Sequence, residues 1–211
     1  DHRDLHSFPT RRSSDLGLLE LHAATLDPAR LEAARRLMDI LLEDFWDAAA
    51  GGLFLTPADG EKLLLRPREA FDAALPSANS AALLLLPQLF RLTGESAYMD
   101  KAQAIARAFG AQVAAAPMGH ALFLCALDLA RRPGLDVRFA GDPEAEPARG
   151  MRRELDRRYL PDLTVGRAPL PDALAPAPGP RPAALLCRAG TCFAGATGVE
   201  ELRAALSPSR P

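Results

Sequence analysis

The feature that most constrains the fold is an apolar pattern of helical period that repeats in pairs between residues 18 and 132. In DPARLEAARRLMDILLEDF, residues 27–45, apolar side chains recur at spacings of three and four, as on one face of an α-helix. A nearly all-apolar segment, ANSAALLLLPQLFRLTG, is followed by an amphipathic one over residues 96–116. An apolar helix followed by an amphipathic one, twice, predicts stacked helical hairpins with an inner and an outer layer.

The ends of these helices carry local signals. Asp27 and Pro28 stand where an N-cap and a first helical residue are expected, and Gly94 is typical of the residue that ends a helix. The glycine pair at 51–52 breaks the helical pattern. Pro87 is expected to kink the apolar helix locally.

After residue 133 the pattern changes. LDVRFAG predicts a strand, PEAEPARGMRRELDRRYL a helix and DLTVG a second strand, which together form a βαβ unit. A proline-rich loop, PLPDALAPAPGPRP, precedes a strand AALLC, a turn and a final helix. We therefore expect helical hairpins over residues 17–133 and a small α/β appendage over residues 134–211.

Composition and charge argue against several functional classes. The 211 residues carry a formal net charge of −2, which gives no reason to expect nucleic acid or an anionic membrane as partner. No apolar run reaches the roughly 20 residues that span a bilayer. Basic residues are almost all arginine, which is typical of GC-rich coding in a bacterium. We expect a cytoplasmic protein with reduced thiols.

The opening segment, DHRDLHSFPTRRSSDL, has neither helical nor strand period. Its histidines and aspartates suggest a metal-binding arm, but a segment without a fixed backbone does not hold coordination geometry. Translated back codon by codon, residues 1–16 resemble a common short-read sequencing adapter, so we interpret them as an artefact. We expect this segment to be loose and packed on nothing, and the natural chain to start upstream of Gly17.

The stretch FWDAAAGGLFLTPADGEKLLLRPREAFDAALPSANSAALLLLPQLFRLTG resembles the helical toroid of bacterial thioredoxin-domain-containing proteins related to spermatogenesis-associated protein 20. The resemblance continues through VRFAGDP, RRYLPDLTV and AALLCRAGTCF and covers residues 17–211. It implies a mainly α fold: an incomplete (α/α)6-type toroid, similar to N-acylglucosamine 2-epimerases and six-hairpin glycosidases, with a small C-terminal α/β appendage. It also implies that the family's N-terminal thioredoxin-like domain, a partner of the toroid in the same chain, is missing here.

A polar cluster stands just before and at the start of the apolar helix, and the resemblance places it at a pocket mouth. Arginine forks, carboxylate acceptors and the free N–H groups of a helix start suit a polar or anionic ligand. Alternatively, Ser77 or Asn79 caps the helix and Arg66 pairs with Asp72. The cluster consists of Arg66, Arg68, Glu69, Asp72, Ser77, Asn79 and Ser80.

Two aromatic residues, Trp46 and Phe54, flank the glycine pair and suit stacking on a sugar ring, although such residues also form core beneath a hairpin. His120 stands five residues before Cys125. That spacing does not put both on one helical face, which favours a packed histidine over a nucleophile pair.

Cys187 and Cys192 form a C-x4-C motif, which is neither the C-x2-C redox spacing nor, without a second pair, a zinc site. If they approach in space, a reversible disulfide is feasible. We expect no metal and no cofactor.

We consider three functions. The first is part of a thioredoxin-domain-containing protein whose toroid binds a carbohydrate-like small molecule. The second is a sugar epimerase, isomerase or glycoside hydrolase, which needs paired carboxylates or histidines in the cleft. The third is a non-catalytic helical scaffold. In each case half a toroid should expose apolar edges and be prone to association.

Overall fold

The computed structural model describes residues 8–60, 63–167 and 183–207. Within these ranges the chain forms seven α-helices and one four-stranded sheet, which confirms a mainly α fold with a small α/β part. It divides into two compact units, the first within residues 1–90 and 94–131 and the second within residues 91–93 and 132–211. No helix in the described part is long and apolar enough to cross a membrane.

The first unit is helical, and local chemistry marks the starts of its second and third helices and the end of the third. The Asp27 carboxylate accepts a hydrogen bond from the N–H of Ala29 at 2.9 Å, and the Ser77 hydroxyl accepts one from the N–H of Ser80 at 3.0 Å. Gly94, with a φ of 79°, ends a helix in the left-handed conformation that glycine adopts without strain. The helices are α1 (Phe8–Thr25), α2 (Pro28–Phe45), α3 (Ala78–Thr93), α4 (Ser96–Ala115) and α5 (Ala121–Arg131).

The core of the first unit follows the predicted apolar faces. Buried apolar side chains come from α2, α3, α4 and α5, at the positions where the three- and four-residue spacing places them. They include Met38, Leu41, Phe45, Leu83, Leu86, Leu89, Ile105, Phe109 and Phe123.

Helix α1 corrects one expectation, because it begins at Phe8. Residues 8–16 are therefore helical and not loose, while residues 1–7 lie outside the described part. A helix that is already formed over the later turns extends at low cost, since each added residue gains a hydrogen bond. Pro9 falls in the first turn, where its missing N–H breaks no helical bond.

The second unit is built on a sheet with strand order β2-β1-β3-β4. The pair β1/β2 is parallel, and the pairs β1/β3 and β3/β4 are antiparallel. A helix, α6, connects β1 to β2, so the predicted βαβ unit is present; the predicted proline-rich loop lies outside the described residues. The elements are β1 (Leu135–Phe139), α6 (Ala148–Asp156), β2 (Leu163–Arg167), β3 (Ala184–Arg188), β4 (Thr191–Ala196) and α7 (Val199–Leu206).

Arginine side chains hold part of this sheet together. Arg91, one of the three α3 residues that belong to the second unit, pairs with Asp136 at 2.8 Å and donates to the carbonyl of Asp162 at 2.7 Å. Arg138 is buried and donates to the carbonyl of Arg91. Burial lowers the pKa of Arg138, because desolvation disfavours a charged group.

Candidate functional site

The glycine pair forms a tight turn that packs directly on α4. Gly51 and Gly52 are buried and have φ values of 78° and 86°. A Cβ on Gly52 would lie 2.7 Å from the Phe109 ring, and one on Gly51 would lie 3.1 Å from the carbonyl oxygen of Ala104. Only glycine fits such a backbone at such a distance. The turn thereby brings Trp46 and Leu53 opposite each other in an antiparallel bridge.

Asn79 fastens this turn to the first turn of α3. Its side-chain NH2 group donates to the carbonyls of Leu53 at 3.0 Å and Glu69 at 2.8 Å. Its oxygen accepts from the N–H of Leu53 at 2.7 Å. The side chain is fully buried, and these three bonds use most of the hydrogen-bonding capacity of its amide group. Asn79 therefore has a structural role, which is to hold the backbone of the turn against α3.

Asp72 and Ser77 are also engaged with the backbone. One Asp72 oxygen accepts from the N–H of Ser77 at 2.9 Å, and the other accepts from the N–H of Phe123, near the start of α5, at 3.0 Å. The Ser77 hydroxyl caps α3 and lies 2.7 Å from that of Ser80. Helix starts leave such N–H groups without helical partners, so this geometry supports the capping alternative for Ser77.

The two arginines of the cluster contact partners other than Asp72. Arg66 lies over the Phe54 ring, 4.1 Å from its centroid, and donates to the carbonyl of Thr56 at 2.5 Å. Arg68 pairs with Asp47 at 3.2 Å and donates to the carbonyl of Gly51. The alternative of an Arg66–Asp72 pair is therefore wrong.

Asp47 is held as a carboxylate. Burial raises its pKa, but hydrogen bonds from the N–H groups of Ala50 and Ala49 lower it, as does the charge of Arg68. The net pKa is below the ordinary value for aspartate. An ionised acceptor bound in this way orders the turn.

Trp46 carries a cation on its ring as well. The Lys101 ammonium of α4 lies 4.0 Å from the ring centroid, and burial lowers the pKa of Lys101. Neither Lys101 nor Arg66 makes an ion pair with any carboxylate in the described part of the chain. These two cation–ring pairs, Trp46 with Lys101 and Phe54 with Arg66, flank the glycine pair in the sequence and are called the aromatic–cation cluster below.

No family model matches the chain. Over 150 residues, 71% of this chain, the sequence is 33% identical to spermatogenesis-associated protein 20 of the rat and 32% identical to the human protein. The chain is homologous to spermatogenesis-associated protein 20. An uncharacterised protein of Caenorhabditis elegans is 26% identical over 193 residues, 88% of this chain.

The chain spans about a fifth of the length of these mammalian relatives, 19% of each. Homology to spermatogenesis-associated protein 20 supports the family relation drawn from the RPREAFDAALPSANS stretch and its surroundings. These relatives come from mammals and a nematode, so the bacterial origin stays a prediction.

His120 and Cys125 do not form a pair. His120 is buried, and its Nδ1 lies 2.7 Å from the carbonyl oxygen of Ala116. Because a carbonyl oxygen only accepts, Nδ1 carries the proton and Nε2 accepts from the Gln112 amide at 3.3 Å. Cys125 is exposed on α5. This geometry supports the interpretation of His120 as a packed residue.

Cys187 and Cys192 form a disulfide across the β3–β4 hairpin, so the expectation of reduced thiols is wrong for this pair, whose side chains do approach in space. Cys187 is buried beside Leu185, and the partly buried Cys192 packs against both. Within the described ranges no group of three or more histidine, cysteine, aspartate or glutamate side chains could hold a metal ion.

Sequence reasoning missed Lys101 as part of the site. Its position on α4 fits the polar face of an amphipathic helix, so periodicity gave no signal. One signal was present: Lys101 is one of only two lysines in an otherwise arginine-rich chain.

Proposed function

We propose that the chain is part of a thioredoxin-domain-containing protein and that its helical unit binds a carbohydrate-like ligand at the aromatic–cation cluster. The observation that carries the proposal is the pairing of two partly buried aromatic rings with cations, Phe54 with Arg66 and Trp46 with Lys101. Aromatic faces bind apolar ring faces, and cations without carboxylate partners suit oxygen-rich or acidic groups.

We expect the ligand to contact the aromatic–cation cluster and not Asp72, Ser77 or Asn79. Those three side chains are already hydrogen-bonded to backbone groups of the protein. Arg66 and Lys101, in contrast, lie over the Phe54 and Trp46 rings and make no ion pair with a carboxylate in the described part of the chain. A sugar that bears an acid group would exchange a cation–ring contact for an ion pair.

A sugar-enzyme function has weaker support. Hydrolysis or epimerisation needs acidic or basic groups free to exchange protons. Asp72 accepts from two backbone N–H groups, and Asp47 is bound by Arg68 and by the turn. Neither of these two carboxylates is left to act on a ligand.

The chain contains a single tryptophan, so its fluorescence reports directly on Trp46. We expect titration of the full chain with a hexuronic acid or a hexose phosphate to change this fluorescence saturably, and a neutral hexose to do so more weakly. Lys101→Met and Phe54→Leu should weaken the response by about tenfold, the effect of losing one contact of about 1.4 kcal/mol.

The matched control is Arg107→Met, which removes one positive charge from the same helix at a residue outside the cluster. It should leave the response unchanged. If none of the three sugars gives a saturable response while the chain stays folded, the proposal is refuted and the scaffold function is favoured.

A further inference from the structure

The disulfide of the second unit joins two sulfurs in unequal surroundings. Cys187 on β3 is 1% exposed, whereas Cys192 on β4 is partly accessible. They are cross-strand partners at the turn end of the hairpin. A reagent from solvent therefore meets the sulfur of Cys192 first.

The hairpin does not depend on this bond for its shape. Ala189 and Gly190 have φ values of 47° and 76°, the two left-handed residues typical of a tight hairpin turn. Antiparallel pairing continues to Ala184 opposite Ala196, and β3 also pairs with β1. A crosslink over a sequence separation of 5 removes less chain entropy than one that closes a long loop. We therefore expect the sheet to stay folded when the bond is reduced.

A protein partner has access to Cys192 along the edge of the sheet. Among the described strands, β4 is at the edge, with β3 on its one paired side. Phe193, next to Cys192, is 51% exposed. Edge strands with unpaired backbone groups accept an added extended segment.

We propose that Cys187 and Cys192 are a reversible dithiol–disulfide couple, that Cys192 is its entry sulfur, and that its partner is a protein with two neighbouring thiols. A thiolate of the partner attacks Sγ of Cys192, a bond forms between the two proteins, and Cys187 Sγ leaves with the electron pair and takes up a proton. The partner's second thiol then attacks the intermolecular bond and frees Cys192 as a thiol. Two electrons pass to this chain, and the partner leaves as a disulfide.

This couple is independent of carbohydrate binding, and its test uses the full chain with Cys125→Ser to remove the exposed free thiol. The protein is equilibrated in buffers of graded dithiol-to-disulfide ratio without denaturant, alkylated, and weighed by mass spectrometry. We expect alkylated thiols to rise from none to two while the circular dichroism spectrum stays native. Reduction that occurs only in denaturant would show a structural crosslink and overturn the proposal, as would failure to reoxidise.

A second measurement tests which sulfur is attacked. Cys187→Ser and Cys192→Ser are each combined with Cys125→Ser, and both proteins are treated with glutathione disulfide. We expect the protein that retains Cys192 to form the mixed disulfide at least about tenfold faster, because thiol reactivity follows exposure. Equal rates, or faster reaction at Cys187, would overturn the assignment of the entry sulfur.

Discussion

Asn79 offers the sharpest test of the fold around the candidate site. Asn79→Ala removes three hydrogen bonds, two that the side chain donates to the carbonyls of Leu53 and Glu69 and one that it accepts from the N–H of Leu53. Leu53 is fully buried, so its backbone groups lose their partner away from water. Each group left without a partner costs about 1–3 kcal/mol.

Water that enters the vacated space recovers part of that loss, so we expect a decrease in the free energy of unfolding of about 3–5 kcal/mol. A domain of this kind has a total of about 5–15 kcal/mol. Urea unfolding followed by Trp46 fluorescence measures the change, since Trp46 faces Leu53 across the turn. The midpoint should fall while the slope of free energy against urea stays constant.

The control is Ser80→Ala, one residue further along α3. The Ser80 hydroxyl shares a hydrogen bond with Ser77 and lies 3.4 Å from the carbonyl of Ala70, so its loss should cost only about 1 kcal/mol. A midpoint shift for Asn79→Ala no larger than that for Ser80→Ala would refute the structural role of Asn79 in holding the turn against α3.

Three further outcomes are expected. Gly52→Ala places a methyl 2.7 Å from Phe109 at a φ of 86°, so urea unfolding should show a loss of about 2–4 kcal/mol. Gly110→Ala, whose methyl would meet nothing within 4 Å outside its own helix backbone and chain neighbours, should not destabilise. Hydrogen bonds from Arg203 and Arg158 lower the pKa of Glu154 from 4.5 to about 2. Because the pKa is lower in the folded state, the free energy of unfolding falls as the pH drops from 4.5 to about 2. Glu154→Gln should flatten that loss in acid titrations. Leu64 and Leu65 are exposed apolar side chains, so sedimentation velocity should show that the protein associates as its concentration rises. Leu64→Ser/Leu65→Ser should weaken this association, and a concentration-independent monomer would contradict the prediction.

The helix ends could be predicted because their causes are local. Asp27 binds the N–H of Ala29, and Ser77 binds that of Ser80, so the interacting groups stand within three residues of each other. The βαβ unit was predictable for the same reason, since each element carries its own period. The α1 start was missed because helix extension depends on the turns that follow and not on the periodicity of the extended segment.

The site contacts could not be predicted because they join distant parts of the chain. Asp72 binds a backbone group 51 residues away, and Lys101 reaches Trp46 from another helix. Side-chain type alone made an Arg66–Asp72 pair reasonable, but the turn at 51–52 positions Phe54 beside Arg66 instead. Such partners are decided by how the turn packs on α4.

These structural roles change how any loss of ligand binding must be interpreted. Asp72 connects the starts of α3 and α5, and Asn79 connects α3 to the turn. A substitution at either residue would lower ligand affinity by disturbing the fold, even if neither side chain touches the ligand. Phe54 and Arg66 are only partly buried, and their contact with each other is worth about 1 kcal/mol. Affinity that falls with Phe54→Leu at unchanged stability therefore identifies a ligand contact, and the same fall with Asp72→Asn does not.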